Sequence, residues 1–174
     1  MSQAATIVFV EHVLWTPDDA WRDALEHLAG RFARVAALDV DEVLELDGFA
    51  AQVDAIATWA ESTGADPERE LGRWFDEHLS LHVRPAPTIT RAVRALAAAG
   101  EVHLVSALPD RAAESITRHA GCWRSVASLT GDVRDAAALG AVLARHPGTA
   151  LVADAAATPI PAGVDARALS APAA

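Results

Sequence analysis

Lysine, tyrosine and asparagine are absent from this 174-residue chain, and its 14 basic residues are all arginine. No lysine is available for a Schiff base or a phosphate contact, and no tyrosine for acid catalysis. A single cysteine, Cys122, excludes an internal disulfide and suits a reducing compartment, so a cytoplasmic location is expected. No apolar run approaches the ~20 residues of a bilayer span. The N-terminus lacks the basic flank and apolar core of a secretion signal. Positive charge is scarce: the net charge is −10. Neither nucleic acid nor an anionic membrane is therefore expected as a partner, since both require a basic face.

What remains is a globular composition, 52% hydrophobic and 22% charged, of a length that suits one domain with an insertion. Five short apolar runs read as strands: Thr6–Val10, Val102–Ser106, Ser125–Leu129, Ala150–Ala153 and Val164–Ala168. Between the later runs lie helical patterns with start and stop signals. "TITRAVRALAAAG" suggests Thr88 as N-cap and Gly100 as the stop. "PDRAAESITRHAG" places Pro109 at a first helical position, and "RDAAALGAVLARHPG" predicts a helix from about Asp135 to His146. Strands alternating with such helices predict a parallel sheet with right-handed crossovers.

The first crossover is far longer than the rest and carries its own periodicity. Trp21, Leu25, Leu28 and Phe32 recur at helical spacing, as do Phe49, Val53, Ile56 and Trp59, and then Leu71, Trp74, Phe75 and Leu79. Three or four amphipathic helices inserted after the first strand form a helical cap. The expected organisation is an α/β core from 1–15 and 84–174, with the cap at 16–83. "HVRPAPT" is the expected hinge, because its prolines keep it extended.

A strand, a helical insertion, then "RPAPTITRAVRALAAAGEVHLVSALPDRAAESITRHAG" and "ALGAVLARHPGTALVADAAAT" together resemble the haloacid dehalogenase-like superfamily with a small helical cap. The resemblance covers nearly the whole chain and is firmest over 84–121. It implies a Rossmann-like sheet, magnesium as cofactor, and two aspartates two residues apart at the end of the first strand. The first of these would be a nucleophile and the second a general acid/base. "FVEHVLW" does not supply that pair. In one register Phe9 takes the nucleophile's place and Glu11 the acid's. In a second, Glu11 and Val13 take them, and in a third Val10 and His12. Through the resemblance, Ser106 matches the phosphate-binding hydroxyl and Asp154 the first acid of the metal motif. Arg134 sits near the position of the charge-balancing cation. The second metal acid is replaced by Thr158.

The residues themselves allow chemistry of this kind only in reduced form. Aspartyl-phosphate formation needs an ionised carboxylate, a metal and an acid for the leaving group. Glu11 and His12 are the candidate catalytic groups, Ser106 and Arg134 the anion contacts, and Glu11 with Asp154 the candidate magnesium ligands. His78 and His82 share a helix face at a spacing that could hold a metal, but no third ligand is evident nearby and a solvated helix face is the simpler reading. The expected function is that of a pseudoenzyme that binds a protein partner or a small anion, with self-association possible. The alternative is a hydrolase of a small phosphorylated metabolite, working through Glu11 and Asp154.

Overall fold

The structure, a computed structural model, describes residues 5–147 and 149–169. Its centre is a parallel sheet of five strands in the order β3-β2-β1-β4-β5. The strands are β1 (Thr6–Phe9), β2 (Val102–Val105), β3 (Ser128–Thr130), β4 (Ala150–Val152) and β5 (Ala166–Arg167). β1 is central: Ile7 stands opposite both His103 of β2 and Leu151 of β4. A central parallel strand is covered on both faces, which is why its sequence is an unbroken apolar run. Side chains alternate accordingly. Val8 and Val10 join one apolar cluster, while Ile7 and Phe9 join another with Val105, Leu139 and Val142.

Between β1 and β2 come α1 (Asp19–Phe32), α2 (Val40–Leu44), α3 (Phe49–Thr63), α4 (Pro67–His82) and α5 (Pro87–Ala99). α6 (Asp110–His119) follows β2, and α7 (Ala136–Arg145) follows β3. The three sequence periodicities become α1, α3 and α4, and their apolar residues face inward. The short α2 has no such signal; Asp39 caps it through the amides of Asp41 and Glu42. Trp21, Phe49, Trp15, Phe75 and Trp74 form an edge-to-face chain with neighbouring centroids 5.0–5.7 Å apart. Trp15, Trp21 and Trp74 are buried, so these tryptophans pack the interior and form no exposed anchor. The same cluster contains Leu104, Ala112 and Ile116, so the helical segment and the sheet share one core. Where α4 meets α6, an added Cβ on Gly72 would stand 2.5 Å from the Arg111 side chain, so the close approach requires glycine there.

Three local expectations need correction. The helix after the hinge begins at Pro87, with Ala86 as its cap. Proline needs no partner for a missing N–H at this position, so Thr88 is already helical. Pro109 is the cap of α6 and not its first residue. β3 starts at Ser128, because Ser125, the first residue of the apolar run, belongs to a 3-10 turn over Trp123–Ser125.

Candidate functional site

The strand ends meet at a tight turn after β1. Val10 N–H donates to Val105 O at 2.9 Å and so extends the pairing by one residue. The Val10 carbonyl then accepts from both Leu14 and Trp15, while His12 N–H donates to Trp15 O at 2.6 Å. His12 adopts φ 61° to close the turn, a left-handed conformation that costs a non-glycine residue about 1–2 kcal/mol. The turn sends Glu11 inward and leaves His12 at the surface of a cleft.

Glu11 is only 2% exposed. Its carboxyl accepts the Ser106 hydroxyl on Oε1 and lies 3.3 Å from the Ala107 amide on Oε2. Burial pushes its pKa above the ordinary carboxylate value, outweighing the opposing hydrogen bonds from Ser106 and the backbone. Ser106 is itself fixed. Its hydroxyl accepts from Leu108 N–H at 3.1 Å, its amide donates to Thr130 O, and its carbonyl accepts from Val133 N–H. Two residues 95 positions apart are thus joined by the β1–β2 pairing.

His12 and Asp154 come together elsewhere. Both line a cleft of about 410 Å³ whose other walls include Val13, Ile89 and Ala153; Glu11 is not among its walls. Asp154 follows β4 and caps its own turn. One carboxylate oxygen accepts from Ala156 N–H at 3.0 Å, and its carbonyl accepts from Ala157 and Thr158.

The Arg134 side chain is engaged with two aspartates. It reaches Asp54 of α3 at 2.8 Å and also binds Asp132, tying the helical segment to the loop before α7. Neither aspartate carries a sequence signal; only the fold brings Asp54 to Arg134, 80 residues away. His78 and His82 have partners of their own. His78 Nδ1 is 3.1 Å from the Trp74 carbonyl and its ring stacks on Trp74, while His82 is 3.4 Å from Asp23. Cys122 is fully buried, and burial raises its thiol pKa.

Magnesium takes ionised oxygen ligands with free lone pairs and keeps several of its waters. Glu11 does not fit that description: it is buried, and both of its oxygens are engaged within the protein. Among the described residues, no group of three or more His, Cys, Asp or Glu side chains is arranged to hold a metal ion. No described helix is long and apolar enough to cross a membrane.

The five-stranded parallel sheet, with a helical segment after its first strand, is a Rossmann-like α/β architecture. The chain is similar in structure to a predicted phosphoglycolate phosphatase from Haemophilus somnus 129PT. The TM-score is 0.54 at 15% identity, over 88% of this chain and 78% of the other. It is also similar to CbbY from Rhodobacter sphaeroides, solved in complex with phosphate. There the TM-score is again 0.54, at 16% identity, over 95% and 93% of the two chains. No protein-family model matches the sequence, and no curated protein matches it. Similarity at these identities concerns the fold.

Proposed function

We propose that this chain is a haloacid dehalogenase-like fold that binds and does not carry out phosphoryl transfer. The supporting observation is that Glu11 itself takes up the Ser106 hydroxyl and the Ala107 amide, the donors an incoming oxyanion would require. Each register leads to the same reading. Where Glu11 is the nucleophile, its carboxyl is closed to solvent and both oxygens already face Ser106 and Ala107. Where Phe9 or Val10 stands in that place, the side chain is apolar and packed in the core. Segment 16–83 is the helical cap, packed into the same apolar cluster as the sheet. The protein works in the cytoplasm.

The test is hydrolysis of a panel of phosphate esters with and without magnesium. No turnover above the blank is expected. Turnover that disappears in Glu11→Gln and Asp154→Asn would overturn the proposal. It would instead establish the hydrolase that works through Glu11 and Asp154.

A further inference from the structure

The cleft of His12 and Asp154 continues along α5. A second cavity, about 240 Å³, is lined by Ala92, Leu96, Val152 and Arg167, and Ala168 and Leu169 wall both spaces. Ile89, Ala92 and Leu96 lie three and four residues apart on one face of α5, so the two cavities form one groove along that helix. Its walls are mostly alanine and other aliphatic side chains, and its charges are separated. Asp154 stands at one end beside His12, and Arg167 lines the other part. Neither charge has an ion-pair partner among the described residues. Asp154 engages one carboxylate oxygen with Ala156 and keeps the other.

The sheet register sets the spacing. Arg167 is the partner of Val152, and Asp154 follows two residues after Val152, just past the end of β4, so the two charges line neighbouring cavities and not one. We propose that the groove binds a small linear zwitterion of the ω-amino acid class. Its ammonium would meet Asp154 and its carboxylate Arg167, with an aliphatic chain between them against α5. A phosphate ester is disfavoured by the acidic end. This inference rests on the binding reading above and specifies its ligand.

The test is calorimetric titration of the full chain with 6-aminohexanoate, hexylamine, hexanoate and inorganic phosphate in turn. Saturable binding of 6-aminohexanoate is expected. Asp154→Asn should weaken 6-aminohexanoate and hexylamine about fivefold and spare hexanoate, whereas Arg167→Gln should weaken 6-aminohexanoate and hexanoate and spare hexylamine. Both residues are exposed, so the variants should fold. The absence of 6-aminohexanoate binding, binding unchanged in both variants, or a preference for phosphate would each overturn the inference. None of these outcomes bears on the ester-hydrolysis assay, so the two proposals fail separately.

Discussion

The Glu11 carboxyl accepts the Ser106 hydroxyl where the ends of β1 and β2 lie side by side, closed to solvent. An acid at a strand tip ordinarily faces a ligand; here it faces its own chain. The contact joins the two strands beyond their last ladder bond and occupies donors that would otherwise be open.

Replacing Glu11 distinguishes its charge from its hydrogen bonds. Glu11→Gln keeps an acceptor for Ser106 and should change stability by less than about 1 kcal/mol. Glu11→Ala leaves the Ser106 hydroxyl and the Ala107 amide without that acceptor and opens a cavity. It should cost roughly 2–4 kcal/mol in urea denaturation. Equal losses in the two variants would mean that the hydrogen bonds contribute nothing.

Because the folded pKa of Glu11 lies above 4.5, burial being the main cause, the folded chain holds this proton more tightly than the unfolded chain. Its contribution is full below pH 4.5 and is lost as pH rises through the folded value. Melting curves of Glu11→Gln across that window should lack this slope.

His103 works in the opposite direction. Burial, followed by repulsion from His146, lowers its pKa, and the rings lie 3.9 Å apart. The unfolded chain therefore takes up the proton first, and stability is lost as pH falls through 6.5 toward the folded value. His27 shifts the same way through burial and His78. In His103→Phe, the fall in melting temperature between about pH 8 and pH 5 should shrink without vanishing, because His27 remains.

Gly131 holds the loop that anchors Ser106. An added Cβ would lie 2.5 Å from the Asp110 amide nitrogen and 2.6 Å from the Leu108 carbonyl oxygen, and neither backbone atom can swing away. Gly131→Ala should cost about 1–3 kcal/mol, read as a lower denaturation midpoint. An unchanged midpoint would show that the loop can move aside.

Arg134 and Asp54 link the helical segment to the core at 2.8 Å, with the Asp54 side chain 59% exposed. Such exposure limits the pair, and a double-mutant cycle of Arg134→Gln with Asp54→Asn should give a coupling of about 0.5–1 kcal/mol. The coupling should shrink at high salt.

The strands and long helices are legible in the sequence because burial imposes a period: continuous apolar runs for a sheet covered on both sides, and three-to-four spacing for helices with one buried face. Ser106 and Asp154 stand out in the sequence because each is a polar residue that ends an apolar strand run. Partnerships are different. Nothing local distinguishes a glutamate that meets a ligand from one that closes on Ser106, and nothing local pairs Arg134 with Asp54 or sets Arg167 beside Val152.

The sequence by itself therefore determined the layered fold and excluded lysine and tyrosine chemistry, because composition and periodicity act residue by residue. Only the tertiary structure decided that Glu11 points inward and His12 outward. That choice depends on a left-handed turn after β1 and on a serine 95 residues away, and long-range geometry of this kind leaves no mark on a local pattern.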